Sequence, residues 1–217
     1  SVLESLILSG SPNYISLRLS GLIFDNDGLL WSITSLIQKP LKSYNPNTNQ
    51  WKSYDFTSLI NDPISDNLGF NEIVIDPTGT KFISSFSKGL IGFNERNGAP
   101  LLKSLSEQSN LPTNSVRTLA LDKRNQLWIG THQGLRVLYN TSGFFTDDNV
   151  RAEEIIILED GIAKELLFQQ FISSIEVDGS NNKWIATIGA GLFYVSSDGQ
   201  KTIYHFTKQN SPLPSDN

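Results

Sequence analysis

The stretch LALDKRNQLWIGTHQGL (119–135) carries the pattern that decides the fold. An alternating apolar run ends at Asp122, an aromatic follows at Trp128, and a hydroxyl follows at Thr131. With His132, these residues admit two interpretations. They are either the acid, hydroxyl and imidazole of an active site, or parts of a repeated scaffold.

The same pattern occurs four times in the chain, which favours the scaffold. The units are GLIFDNDGLLWSIT (21–34), EIVIDPTGTKFISS (72–85), TLALDKRNQLWIGT (118–131) and SIEVDGSNNKWIAT (174–187). In each unit an Asp is followed by an aromatic six positions later and by a hydroxyl nine positions later. These positions hold Asp25, Asp76, Asp122 and Asp178, then Trp31, Phe82, Trp128 and Trp184, then Thr34, Ser85, Thr131 and Thr187.

The spacing of the units predicts an all-β fold, a β-propeller of four-stranded antiparallel blades. Successive Asp residues lie 51, 46 and 56 positions apart, close to the period of about 40–50 residues of a propeller blade. We expect about four blades near 15–60, 68–110, 114–150 and 171–210, with an insertion near 144–170. Because one blade cannot bury both faces of its sheet, the repeated aromatic is expected between neighbouring blades.

Composition excludes several function classes. The net charge of -5 and the absence of any basic stretch argue against a nucleic-acid partner. No apolar run is long enough to span a membrane, and the absence of Cys excludes disulfides and thiol catalysis. The absence of Met at position 1 and the ending LPSDN (213–217) lead us to expect a segment of a larger ring.

The stretch LPTNSVRTLALDKRNQLWIGTHQGL (111–135) resembles the two-component regulator propeller repeat. The other units are more degenerate, since Phe82 replaces Trp and Ala186 replaces the Gly of the Trp-Ile-Gly-Thr run. In Bacteroidetes, such repeats occur in PorZ-like proteins of the type IX (Por) secretion system and in sensor regions of hybrid two-component histidine kinases. The segments 155–187 and 198–217 are more similar to the PorZ-like group.

The resemblance implies a context and a set of partners. It implies a seven-bladed propeller in the periplasm or at the cell surface of a Gram-negative bacterium. The partners it implies are envelope or secretion proteins, or an oligosaccharide or lipopolysaccharide. It implies no cofactor, no metal and no catalytic residue, and this segment contains no membrane span.

The repeated Asp residues have a structural and a functional interpretation. An Asp at a strand end commonly bonds the amides of the following turn, and here it could also bond the hydroxyl nine residues on. Four acids around a channel is the competing interpretation. DNDG (25–28) starts like a calcium loop, but position 12 of that loop is Leu36, where a Glu ligand is needed. We therefore expect a turn.

Specific contacts are expected where the repeat is broken. TDDNVRAEEIIILEDGIAKELLFQQ (146–170) departs most from the pattern, and insertions in repeat proteins often lie on the binding face. We expect a solvated hairpin, or a short helix at 162–170. Five residues are candidate contacts to a ligand or partner: Trp51, Tyr54, His132, Glu153 and Glu154. For each of them, packing within the blade or simple surface exposure is the alternative.

Three functional hypotheses follow from these patterns. The first is a non-enzymatic recognition or scaffold module that binds a glycan or protein partner. The second is the ligand-sensing domain of a hybrid histidine kinase. The third is a carbohydrate-active enzyme, which requires paired carboxylates about 5–10 Å apart in a cleft.

Overall fold

The described part of the chain folds mainly into antiparallel sheets joined by turns. A computed structural model describes residues 17–62, 68–96 and 98–217. Residues 15 and 16 of the expected first blade lie outside the described residues. One short 3-10 turn, Glu107–Ser109, is the single helical element in the described ranges.

The first two blades have the four strands that the repeat predicts. The first contains β1 (Leu19–Phe24), β2 (Leu30–Thr34), β3 (Leu41–Asn45) and β4 (Gln50–Tyr54), in that spatial order. The second contains β5 (Phe70–Ile75), β6 (Lys81–Ser85), β7 (Leu90–Arg96) and β8 (Ala99–Leu105), also in sequence order. Both are simple meanders, as period-2 runs separated by Gly- and Asn-rich turns predict.

The third blade departs from the predicted four strands and stops at three. It contains β9 (Val116–Leu121), β10 (Leu127–Thr131) and β11 (Gly134–Leu138). The chain then turns away, and a single bridge returns to the sheet, where Val137 and Glu153 exchange backbone hydrogen bonds of 2.8 Å.

Packing of Phe144 gives a physical reason for the missing strand. Its side chain is fully buried, and its ring meets that of Phe82 edge-on with centroids 5.1 Å apart. Lys103 of β8 also donates to the carbonyl oxygens of Phe144 and Asp147, at 3.0 Å each. These contacts hold the loop against the second blade, so it does not continue along β11.

The insertion forms a separate hairpin of β12 (Ile156–Glu159) and β13 (Ile162–Glu165). Asp160 and Gly161 both have positive φ angles, 52° and 76°, which is the requirement of a tight two-residue hairpin turn. Of the two alternatives for this segment, the structure shows the hairpin and no helix at 162–170.

The fourth blade restores the regular pattern. It contains β14 (Phe171–Val177), β15 (Lys183–Ile188), β16 (Leu192–Val195) and β17 (Thr202–Phe206). The innermost strands β1, β5, β9 and β14 contact one another in succession, so the four sheets are arranged around a common axis. The fold is that of a β-propeller.

The core lies between the blades and not within them. Three clusters of buried apolar residues fill the three junctions, each formed by side chains of two neighbouring sheets. Trp31, Phe82 and Trp128 are almost completely buried, one in each cluster. Trp184 of the fourth blade is half-buried and stacks on Tyr194 with centroids 4.3 Å apart.

Candidate functional site

The four repeated Asp residues each close the turn that follows their strand. Oδ1 of Asp25 accepts the backbone amides of Asp27 and Leu29 at 3.0 and 2.9 Å. The other three make the same two bonds, to the amides two and four residues on. The four carboxylates therefore lie in separate turns and do not form a shared site.

In the first and third units the second carboxylate oxygen accepts a hydrogen bond from the repeated Trp. Trp31 Nε1 donates to Asp25 Oδ2 at 2.7 Å, and Trp128 Nε1 donates more weakly to Asp122 Oδ2 at 3.4 Å. This contact fixes the orientation of the indole ring at the junction between blades. It accounts for the spacing of Asp and Trp in the first and third units.

The second carboxylate oxygen has a different environment in each of the other two units. In the second unit Phe82 has no N–H group, and Asp76 Oδ2 is buried without a hydrogen-bond partner among the described residues. In the fourth unit Tyr194 donates its hydroxyl to Asp178 Oδ2 at 2.7 Å. The degenerate position in the second unit therefore leaves a buried acceptor unsatisfied, an uncommon feature in a folded protein.

Two buried lysines connect neighbouring blades through these same units. Lys183 Nζ donates to Asp122 Oδ2 of the preceding blade at 2.9 Å and lies 4.3 Å from the Trp128 ring centroid. Lys81 Nζ lies 4.0 Å from the ring centroid of Trp31. Burial lowers the pKa of Lys183. Burial alone would raise the pKa of Asp122, but the bonds from Gln126 and Lys183 bring it below its ordinary value.

The repeated hydroxyls close the second turn and do not contact the Asp. Thr131 Oγ1 donates to the carbonyl of Gly134 at 2.8 Å, and Thr187 Oγ1 donates to that of Gly191 at 2.7 Å. Ser85 Oγ accepts the amide of Lys88 at 3.0 Å. Thr34 Oγ1 is buried and has no partner in the described part of the chain. Of the two alternatives for the Asp side chain, the structure therefore shows the turn amides and not the hydroxyl nine residues on.

Of the predicted contact residues outside the insertion, two are accessible and one is not. Trp51 is 39% exposed and packs on Tyr44, with centroids 4.7 Å apart. His132 is exposed and meets Phe171 edge-on. Tyr54 is only 6% exposed because it packs between the first two blades. The structure therefore removes Tyr54 as a surface contact.

The acids of the insertion are held in separate contacts. Asn110 donates to Glu154 Oε2 at 2.8 Å and keeps the pKa of Glu154 below its ordinary value. Glu159 pairs with Lys164 at 2.7 Å, and Glu165 pairs with Arg136. The Glu153 carboxylate faces a cavity beside Tyr139. Glu159 and Glu165 both line the groove beside the hairpin, and each is engaged there by a basic side chain.

A groove of about 430 Å³ separates the hairpin from the outer strands of the fourth blade. Its walls include Ile157, Lys164, Leu167, Phe168, Phe193 and Thr202. Beside it, the hairpin exposes large apolar side chains, among them Leu158, which is 77% exposed. A concentrated exposed apolar surface is a common mark of an interaction site.

Sequence reasoning placed a candidate surface at the insertion but missed Phe168 and Phe193. Phe193 lies in the regular repeat, on the fourth blade, and no local signal showed that the hairpin would pack near it. The apolar run 155–158 beside acidic residues was the available signal for an exposed hairpin.

Two further classes of site are absent from the described ranges. No group of three or more His, Cys, Asp or Glu side chains there is placed to hold a metal ion. Among the same residues, no helix has the length and apolarity needed to cross a bilayer.

Comparison with known families addresses the repeat directly. Residues 110–133 match the family model Two component regulator propeller. The matched stretch contains the Asp122 turn and Trp128, which are the elements described above. The predicted resemblance is confirmed.

Among solved structures, the chain is similar to PorZ of Porphyromonas gingivalis. The two share 26% sequence identity with a TM-score of 0.82, over 94% of this chain and 29% of that chain. PorZ is described as an essential bacterial surface component of the type IX secretion system. This chain thus corresponds to less than a third of PorZ.

Two further structures share the fold at lower identity. The extracellular domain of BT4673 from B. thetaiotaomicron is 17% identical with a TM-score of 0.50, covering 92% of this chain and 32% of that one. Streptogramin B lyase is 11% identical with a TM-score of 0.57, covering 87% of this chain and 54% of that one. No curated protein sequence matches the chain.

Proposed function

We propose that this propeller is a non-enzymatic recognition module of a PorZ-like component of type IX secretion. It acts in the periplasm or at the cell surface of a Gram-negative bacterium and binds a glycan or a protein partner. The observation that carries the proposal is the similarity to PorZ over 94% of the chain, at 26% identity and a TM-score of 0.82.

The shape of the third blade supports a binding role. Its missing outer strand leaves room for the hairpin, the groove and the cavities around loop 139–155. The repeated polar residues, by contrast, are engaged in turns and junctions. A binding surface at the break in the repeat leaves the scaffold intact, which is the usual way in which repeat proteins acquire specificity.

Gene deletion in the source bacterium tests the proposal. Loss of the protein should retain type IX cargo inside the cells, and the native gene should restore its release into the medium. A deletion strain that releases cargo at the native level would refute the assignment to secretion.

The second candidate is the ligand-sensing domain of a hybrid two-component histidine kinase, and the fold shared with the BT4673 extracellular domain favours it. It predicts that deletion changes the transcriptional response to an oligosaccharide and leaves cargo release unchanged. A carbohydrate-active enzyme is the third candidate. It predicts that the purified chain releases sugar products from oligosaccharides.

A further inference from the structure

The third blade leaves an aromatic side chain uncovered at the point where the other blades enter their fourth strand. In the first blade the residue at this register is Asn45, which pairs with Gln50 of β4. In the third blade it is Tyr139, directly after β11, and no fourth strand lies beside it. The Tyr139 ring is 42% exposed as a result.

Tyr139 lines two cavities of about 300 Å³ each. Both have Tyr139 and Asn140 as walls. The first lies between the Asp turns of the second and third blades and is also lined by Thr78, Arg124 and Asn125. The second lies on the side of the loop that replaces the fourth strand and is also lined by Asn149, Arg151 and Glu153. Each cavity is at the lower end of the size range of small-molecule sites.

Several polar side chains in these walls are not engaged by the protein. The side chains of Arg151 and Glu153 and the side-chain amides of Asn125 and Asn149 make no hydrogen bond or ion pair with a described residue. The Tyr139 hydroxyl is likewise unbonded within the described part of the chain. Burial raises the pKa of Tyr139, and the nearby Glu153 carboxylate raises it further.

This combination fits the chemistry of a pyranose ring. A sugar ring offers an apolar C–H face that stacks on an aromatic side chain, and a rim of hydroxyls that both donate and accept. Side-chain amides have the same dual capacity, while guanidinium groups only donate and ionised carboxylates only accept. Arg124, the charged residue of the first cavity, lies 3.8 Å from the Asp122 carboxylate, and the second cavity combines Arg151 with the acids Asp147 and Glu153. The walls therefore do not select for a strongly charged ligand.

A peptide segment fits these cavities less well than a sugar. Apart from Pro77, Leu138, Val150 and the Tyr139 ring, their walls are polar. The groove beside the hairpin has a larger apolar share, since four aliphatic residues and two phenylalanines line it together with polar residues such as Glu159 and Gln170. The chain therefore offers two distinct surfaces at the same break in the repeat.

We infer that Tyr139 is the stacking platform of a glycan subsite that takes a neutral oligosaccharide, with Asn125 and Asn149 binding hydroxyls on either side. The inference rests on the proposed recognition function and specifies its ligand and its residues. It assigns the sugar to the loop side of the third blade and leaves the apolar groove to a different contact.

The test uses the full chain and a panel of neutral di- and trisaccharides of glucose, galactose, mannose and N-acetylglucosamine. Saturation-transfer NMR identifies binders, and calorimetry gives the Kd of the best one. Tyr139→Ala should weaken binding at least tenfold, whereas Tyr139→Phe should weaken it less than threefold because the ring is kept. Trp51→Ala, which removes an exposed aromatic on the first blade, should leave Kd unchanged. Thermal melting of each variant checks that it is folded.

Three outcomes would overturn the inference. They are native affinity in Tyr139→Ala, an equal loss in Trp51→Ala, and no binding of any saccharide in the panel. If no sugar binds but a protein partner cross-links to the hairpin, the proposed recognition function is supported and the glycan subsite is refuted. If neither a sugar nor a protein binds, both the recognition function and the glycan subsite are refuted.

Discussion

Replacing Lys183 with Leu tests the connection between the third and fourth blades. The Lys183 side chain is fully buried, as is the Asp122 side chain that it pairs with. Its Nζ also donates to the carbonyl oxygens of Asn181 at 2.9 Å and Ser197 at 2.6 Å. Lys183→Leu would remove all three bonds and leave the buried Asp122 carboxylate with only the longer contact to Arg124 Nε, at 3.8 Å, as its ion pair.

The expected loss follows from the burial of the pair. Removing one partner of a buried ion pair costs about 3–5 kcal/mol because the other charge stays behind uncompensated. Asp122 keeps the amides of Arg124 and Gln126 and the side-chain amide of Asn181, so we expect about 3 kcal/mol, at the lower end.

The assay is urea unfolding at pH 7, followed by tryptophan fluorescence and by circular dichroism. The matched control is Lys52→Leu, which breaks an ion pair with Glu95 of 2.6 Å between partners that are 59% and 28% exposed. We expect that control to lose less than about 1 kcal/mol. Adding Asp122→Asn to Lys183→Leu should recover stability, because it removes the uncompensated charge. A loss from Lys183→Leu no larger than that of the control would refute the reasoning.

Three further substitutions give independent checks. Gly89→Ala should destabilise the protein by at least about 2 kcal/mol more than Gly79→Ala. Both glycines have positive φ, but only at Gly89 would a Cβ overlap the Leu105 carbonyl oxygen; equal urea midpoints would contradict this. Burial raises the pKa of Glu72, so the native state binds this proton more tightly than the unfolded chain does. The native protein should therefore gain stability as the pH falls from 7 towards 4.5, the ordinary pKa of Glu, and Glu72→Gln should remove that gain. An unchanged dependence of the urea midpoint on pH would count against it. Leu158→Asp should change stability by less than about 0.5 kcal/mol and abolish capture of a protein partner in a pull-down, and undiminished capture would exclude the hairpin.

The fold could be predicted because the same few residues recur in register. An Asp that closes a turn and an aromatic six residues on constrain each other locally, so the pattern is visible in sequence wherever the blade is formed. The matched stretch at 110–133 is the clearest copy. The contacts between blades were harder to predict from the sequence. Lys81 and Lys183 each precede the aromatic of their own unit, yet they act on the preceding blade.

The candidate site could be predicted only as a region. The break in the repeat marked 144–170, but the absence of a fourth strand depends on Phe144 packing against Phe82 of another blade. That absence exposes Tyr139, which the sequence offered no reason to single out. Tyr54 shows the opposite error, since its neighbours on the second blade bury it. Exposure depends on long-range packing, which a local pattern does not contain.

The central claim is that recognition takes place at the third blade, where the repeat is broken. The most direct test places a photo-crosslinking amino acid at Leu158, on the hairpin, or at Phe168, beside the groove, and irradiates living cells of the source bacterium. The same group at Trp51 on the first blade is the control. The account predicts a discrete envelope partner cross-linked from the third blade and not from position 51. Cross-linking from position 51 alone, or from none of the three positions, would contradict it.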